Sequence, residues 1–107
     1  MSDLQVLVQP AAIADLDRHA DYIASDNPAA AVRFLDAASA TFQFLADMPL
    51  IGVNCGRFFA SPRAQGIRLW RVKGFANHQI LYHVSDSTLL IIRVIHAAQD
   101  KQQFFEG

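Results

Sequence analysis

Leu89-Leu90-Ile91-Ile92-Arg93-Val94-Ile95 carries a single charge in seven residues, that of Arg93. A run of this length, rich in β-branched residues and apolar on both faces, reads as a central strand covered on two sides. By the two-residue period of a strand, Arg93 is expected to share a face with Leu89, Ile91 and Ile95. A charge in that position must be paired, must reach the sheet edge, or must wait for an anionic ligand. Guanidinium chemistry suits a carboxylate partner and a phosphate ligand equally. Working outward from this strand, Ser85-Asp86-Ser87 reads as a turn and Ile80-Leu81-Tyr82-His83-Val84 as the strand before it. Gly74 then punctuates, and the alternating Ile67-Arg68-Leu69-Trp70-Arg71-Val72 completes an antiparallel meander of three strands. Antiparallel sheets commonly leave one face to water, so a strand apolar on both faces points to helices on one side and a binding surface on the other.

Further upstream the period changes. Ile13, Leu16, Ala20 and Ile23 recur three and four apart after Pro10, predicting a helix from Pro10 to about Ser25. Asn27-Pro28 supplies a capping amide and a proline suited to a first turn. Ala31, Phe34, Leu35, Ala38, Phe42 and Leu45 form the stripe of a second helix, ended by Met48-Pro49. So short a connection predicts an antiparallel helix hairpin. Asp15, Asp17, Asp21 and Asp36 fall off the stripes and are expected on a solvated face, with no paired-acid role. Leu4-Gln5-Val6-Leu7-Val8, bounded by Pro10, reads as a first strand at the edge of the sheet or beside it. The fold class expected is therefore α+β: an N-terminal strand and an antiparallel helix hairpin packed on a small antiparallel β-sheet.

The chain has 107 residues, 52% apolar and 18% charged, with a net charge of −1. That supports one domain over residues 1–107, with a radius of gyration of about 13 Å. Charged and polar residues interrupt every apolar stretch near the N-terminus, so neither a signal peptide nor a membrane span is expected, and a cytoplasmic location is. The single cysteine, Cys55, makes no internal disulfide and no CxxC site. Glycine-rich phosphate loops of the GxGxxG and GxxxxGK[ST] kinds are absent, and no cofactor is expected. The charge is unevenly spread. Residues 1–48 hold seven acids and two bases, a charge of −5, whereas residues 49–107 hold seven bases and three acids, a charge of +4. Such polarity fits a partner that reads the basic half, and equally fits two halves that attract one another.

Imidazoles titrate near neutrality, which makes His78, His83 and His96 candidates for acid-base work or metal binding. Their spacing argues against a metal: His78 and His83 face opposite ways on one strand, and no HExxH occurs. Ser61, Ser85 and Ser87 lie in turns without a GxSxG elbow, and Cys55 lies in a loop as an incidental thiol. Arg68 and Arg71, three apart on a strand, point to opposite faces, so one alone can join Arg93.

Several phrases along the chain together resemble the RelE/ParE toxin superfamily, and its ParE branch most. They are Val8-Gln9-Pro10-Ala11-Ala12 leading to Asp15-Leu16, Tyr22-Ile23-Ala24, Asn27-Pro28-Ala29-Ala30-Ala31 with Phe34-Leu35, and then Phe42, Leu45, Pro49 and Gly52. Ile67-Arg68, Val72-Lys73-Gly74-Phe75, Ile80-Leu81-Tyr82 and Ile92-Arg93-Val94-Ile95-His96-Ala97 complete the set, over residues 4 to about 100. The resemblance implies a type II toxin silenced by an antitoxin of the ParD class, whose flexible tail folds over it. ParE-like members act by binding DNA gyrase, whereas RelE-like members cut mRNA on the ribosome. By position, Arg68 and Arg93 match arginines recurring in both branches, and His96 the histidine after the last strand of ParE-like sequences. Ala97-Ala98-Gln99-Asp100 departs from the glycine and arginines that ParE-like relatives often carry there, which leaves room for a degenerate, non-toxic member.

RNA cleavage by its own 2′-hydroxyl needs a base, an acid and charge stabilisation, and arginines supply only the last. Phe104 and Phe105, at the C-terminal aromatic positions, have no proton to give. A non-catalytic protein binder is thus expected, with Arg57, Arg68, Arg71, Lys73, Arg93 and His96 as its antitoxin- or target-binding residues. The alternative is a ribosome-dependent endoribonuclease using Arg68, Arg93 and His96. With no basic recognition helix, sequence-specific DNA contact is expected of the antitoxin and not of this chain.

Overall fold

Pro10 and Asn27-Pro28 set the two helix starts where the sequence places them. In the computed structural model, which describes residues 4–99 and 101–105, strand β1 (Gln5–Val8) leads into helices α1 (Pro10–Ala24) and α2 (Pro28–Asp47). The Asn27 side chain accepts from the Ala30 N–H at 3.1 Å, capping α2. Strands β2 (Val53–Asn54), β3 (Ile67–Val72), β4 (Phe75–Val84) and β5 (Thr88–His96) follow. Short 3₁₀ turns occupy Cys55–Arg57, Pro62–Ala64 and Lys101–Phe105. Asp3, Asp100 and Glu106, counted in the charges above, lie outside the described residues, as do the two ends of the expected domain. The radius of gyration is 13.5 Å. No helix among the described residues is long and apolar enough to cross a membrane.

The sheet runs β1-β5-β4-β3-β2. The meander β3-β4-β5 is antiparallel as expected, with Gly74 at a φ of 81° in its first turn, a conformation glycine adopts freely. β1 joins β5 in parallel at the edge, which makes the whole sheet mixed. The two-residue β2, read in the sequence only as loop, pairs with β3 at Arg68 and Leu69.

A bulge divides β5. Leu81 faces Arg93 but Tyr82 faces Ile91, so Ile92 has no opposite residue. One extra residue switches which face each later side chain joins. Leu89, Ile91 and Val94 consequently pack with Phe34, Leu45, Ile80 and Tyr82 beneath the helices. Ile92 and Ile95 instead join Leu81, Cys55, Ala64 and Phe105 on the opposite side. The face expected to unite Arg93 with Leu89, Ile91 and Ile95 is thus broken at Ile92. The second face is also not bare, because the 55–64 segment and the Lys101–Phe105 turn cover it with Phe59, Phe104 and Phe105. Cys55, 2% exposed, serves there as a small apolar side chain, and burial pushes its thiol pKa up against a smaller opposing pull from Lys101.

Tyr82 ties the loop after α2 to the sheet. Its buried hydroxyl donates to the Pro49 carbonyl at 2.8 Å and accepts from the Gly52 N–H at 2.9 Å. Arg68 completes this clamp, its guanidinium donating to the carbonyls of Gly52 at 2.8 Å and Leu50 at 3.2 Å. A Cβ at Gly52 would stand 2.3 Å from the Tyr82 hydroxyl, so only glycine lets the loop approach this closely. Gly52→Ala should therefore destabilise the fold by about 1–3 kcal/mol through overpacking. Tyr82→Phe should cost a similar ~1–3 kcal/mol through two loop groups left without a partner. Urea unfolding checks both, and midpoints unchanged from the parent would dismiss the clamp.

Candidate functional site

β1 ends at Val8, and Gln9 makes a last N–H bond to the Ile91 carbonyl at 2.9 Å. Beyond that point α1, rather than a strand, lies against the outer edge of β5. Asp15 and His19, one helical turn apart, satisfy both backbone groups of Val94: Asp15 Oδ2 accepts its N–H at 3.0 Å, and His19 Nε2 lies 2.9 Å from its carbonyl. A carbonyl oxygen only accepts, so His19 carries its proton on Nε2. Two helix side chains thereby stand in for a neighbouring strand.

The same carboxylate grips Arg93 at two points, Nε to Oδ2 at 2.6 Å and Nη2 to Oδ1 at 2.9 Å, and Arg18 Nη2 at 2.5 Å. Asp15 is 0% exposed. This corrects its expected place on a solvated face; Asp17, Asp21 and Asp36 do lie exposed. The physical reason is pairing, since a carboxylate is tolerated in the interior when donors surround it. Burial alone would raise the Asp15 pKa, but hydrogen bonds from Arg93, Val94 and Arg18, with the charge of Arg93, hold it below the usual carboxylate value. Arg93 is raised in turn by the same bonds to Asp15. Its guanidinium lies 4.7 Å from the Phe104 ring centre, a cation–π contact beside a hollow of about 260 Å³.

Three imidazoles line up next to this latch. The His78 ring lies 5.0 Å from that of His19 and 5.1 Å from that of its cross-strand neighbour His96. Phe34 packs on the same ring at 4.7 Å, and the buried Nδ1 of His78 has no hydrogen-bond partner. Desolvation first, and then the proximity of His19 and His96, lower the His78 pKa to about 4. His19 is lowered as well, burial outweighing its bond to Val94. With Arg18, Tyr22 and Gln99 the cluster borders a cavity of about 460 Å³. Among the described residues no group of three or more His, Cys, Asp or Glu could hold a metal ion. His83 lies exposed elsewhere on β4.

The expected binding set is therefore distributed over the molecule. Arg68 holds the loop, Arg93 holds Asp15, and His96 accepts from the Ala98 N–H at 3.0 Å through Nδ1. Arg57 is exposed on the first 3₁₀ turn. Of that set, Arg71 and Lys73 meet in one depression, a groove of about 450 Å³ between α2 and the end of β3, with Ala40, Thr41, Phe44 and Trp70 as its walls. Phe44 stacks on Trp70 at 6.3 Å, and the Arg71 guanidinium lies 5.3 Å from the indole centre. The Lys73 N–H donates to the Thr41 hydroxyl at 3.2 Å, joining helix to strand. Phe44, Trp70 and His19 were not among the expected site residues. The one sequence signal for His19 is its i, i+4 spacing from Asp15.

Removing one partner from a buried ion pair leaves the other uncompensated, so Asp15→Ala should cost about 3–5 kcal/mol in urea unfolding. A loss below 1 kcal/mol would make the latch dispensable. Acidification should act in two windows. Between pH 6.5 and about 4 the unfolded chain takes up a proton at His78 that the folded chain refuses, so stability falls as pH falls, by up to about 3 kcal/mol. Below 3.8 the Asp15 contribution, complete at higher pH, is lost as its carboxylate protonates. Urea midpoints at pH 7.5, 5.5 and 4.5 measure the first window, to which buried His19 adds in the same direction, and His78→Phe, which fits the same aromatic setting, should make it shallower.

A family model described as "ParE toxin of type II toxin-antitoxin system, parDE" matches residues 6–101. Among solved structures, the chain is similar to one described as "Chromosomal ParDE TA system from P. aeruginosa", with a TM-score of 0.68 over 88% of this chain and 96% of that one, at 18% identity. At that identity the likeness speaks for the fold, and it is the same arrangement of strand, helix hairpin and sheet. No curated protein sequence matches. With its family match running from β1 to the last 3₁₀ turn, this chain belongs to the ParE toxin family of type II toxin-antitoxin systems.

Proposed function

We propose that this toxin works by binding, with DNA gyrase as its target, and that a ParD-like antitoxin silences it in the cytoplasm. The observation that carries this reading is the commitment of Arg93. Its guanidinium is bonded at two nitrogens to a fully buried carboxylate, so the group that an endoribonuclease would aim at a phosphorane is already neutralised. Arg68 is likewise engaged by two loop carbonyls, and His96 bonds the Ala98 N–H and packs on His78. An acid and a base positioned around one reacting phosphate are not what these contacts favour.

The antitoxin is supported by membership of a family defined by such pairs and by a similar chain whose description names a ParDE system. Sequence-specific DNA contact in the complex is assigned to the antitoxin. Arg93 is unsuited as a surface probe, because Arg93→Glu would set a second carboxylate against Asp15 and unfold the latch before reporting on any partner.

The test is a supercoiling reaction with purified gyrase, relaxed plasmid, ATP and the toxin freed from its antitoxin. Supercoiling should be lost, protein-linked cleaved DNA should accumulate, and antitoxin should reverse both. His96→Ala should keep this activity within about threefold, as expected where inhibition works by binding and involves no proton transfer. Unaffected gyrase, together with discrete breaks in translated messages that vanish in His96→Ala, would overturn the reading in favour of the endoribonuclease. Unimpaired growth on expression of the toxin alone would point to a member that no longer poisons.

A further inference from the structure

The cavity of about 460 Å³ beside the Asp15 latch is lined by groups whose hydrogen-bonding roles can be assigned one at a time. His19 gives its Nε2 proton to the Val94 carbonyl, so its Nδ1 is an acceptor. His96 takes the Ala98 N–H at Nδ1, so its neutral ring carries the proton on Nε2 and donates there. Gln99 accepts the His96 N–H at Oε1, at 2.7 Å, which leaves its NH₂ as a donor. His78 stands between the two other imidazoles, with a buried nitrogen that has no partner among the described residues. A polar atom in that condition, on a side chain that lines a cavity, marks a missing hydrogen-bond partner. Arg18 brings the one guanidinium, bonded to Asp15 through Nη2 and otherwise largely exposed. Tyr22, 81% exposed, stands at the rim. The Ala97 N–H bonds the Asn77 carbonyl at 2.7 Å and the Gln99 N–H bonds the His96 carbonyl at 2.9 Å, so the wall formed by the 96–99 turn is already in place.

This set of groups narrows the chemistry of an occupant. The imidazoles are not arranged with a third ligand around one point as a metal requires. An apolar molecule would leave their donors and acceptors unpaired. A bare anion would meet a single guanidinium whose charge Asp15 already shares. A flat ring with both donors and acceptors along its edge, joined to an anionic group, answers every part of the lining at once. We infer that the cavity binds a nucleoside monophosphate group, its base edge hydrogen-bonded by His19, His78 and His96, its base face stacked on Tyr22 and its phosphate at Arg18. Bases commonly stack on tyrosine and histidine rings and are read along their polar edges. The volume falls within the range of small-molecule sites. The inference does not depend on gyrase as the target.

The molecule contains its own reporters, because three of its four histidines line the cavity and the fourth, His83, lies exposed elsewhere on β4. AMP, GMP, CMP and UMP are titrated separately into the full chain at pH 7.5 while the imidazole carbon–proton NMR signals are followed. At least one nucleotide should shift the His19, His78 and His96 signals together and to saturation, with His83 unmoved. Its nucleoside should bind at least about tenfold more weakly, and inorganic phosphate should leave the signals in place. Arg18→Gln should erase the difference between nucleotide and nucleoside. Tyr22→Ala, at an exposed position, should lower affinity at least about fivefold, whereas Tyr22→Phe, which keeps the ring, should stay within about twofold. His78→Phe should lower it at least about tenfold. A single strand of about ten nucleotides of the preferred base separates two sources of the same group. Tighter, strongly salt-dependent binding of the strand would support a base within a nucleic acid, and equal or weaker binding a free nucleotide. No saturable shift with any of the four nucleotides up to about 5 mM would overturn the site. So would equal shifts from inorganic phosphate alone, or a parental affinity in both Tyr22→Ala and His78→Phe.

Discussion

A single carboxylate decides where helix α1 can lie. Asp15, 0% exposed, receives the Val94 N–H, two nitrogens of Arg93 and one of Arg18. Taking that charge out of water is costly, and the cost is met only while all of these donors are in place. α1 must therefore approach β5 at one height and one rotation. The same geometry brings His19, one turn later, within bonding distance of the Val94 carbonyl. β5 can then extend beyond the end of β1 without an unsatisfied edge, and the helix hairpin is held to the sheet by directional bonds as well as by the apolar contacts of Ala12, Phe34 and Leu45.

The bulge at Ile92 and the latch at Asp15 support each other. Because Ile92 takes no partner on β4, the residues after it change faces, so that β5 contributes to a core beneath the helices and to a second one beneath Phe104 and Phe105. Arg93 stands at the crossover. Its bidentate bond to Asp15 and its position over Phe104 link the helix side of the sheet to the C-terminal turn. At the other end of the sheet, Tyr82 and Arg68 hold the Pro49–Gly52 loop by four hydrogen bonds, fixing the end of α2 and with it the wall that carries Phe44.

Periodicity made the fold legible. The helical spacing of Ile13, Leu16, Ala20 and Ile23, the Asn27-Pro28 start and the alternation in 67–72 each correspond to an element, although Ile13 lies 49% exposed and the buried residues of α1 are Ala12, Asp15, His19 and Ala20. What the sequence concealed is where one residue departs from its type or its period. Asp15 reads as solvated in any pattern that counts charge as polar, and only a long-range partner 78 positions away justifies its burial. Ile92 is hidden because an unbroken apolar run contains no mark of where its faces exchange. β2, two residues long, has no period at all. The candidate site was legible as a set of basic residues and not as a place, since Arg68, Arg93 and His96 differ from Arg71 and Lys73 in what they touch rather than in residue type or spacing.

That difference bears directly on what the molecule can do. Hydrogen bonds to the buried Asp15 carboxylate and to two loop carbonyls make Arg93 and Arg68 parts of the frame, and a guanidinium so engaged has little left to offer a phosphate. Catalysis at a phosphodiester requires groups that are positioned yet unspent, able to hand over a proton or meet new charge. Binding requires the reverse: a rigid surface whose apolar area and charges are still unmatched before the partner arrives. The frame around Asp15 and Tyr82 provides the rigidity, and Phe44, Trp70, Arg71 and Lys73 provide the unmatched surface. Recurring arginines in such a chain then need no catalytic explanation, because the two most tightly bound of them build the scaffold on which a binding surface is displayed.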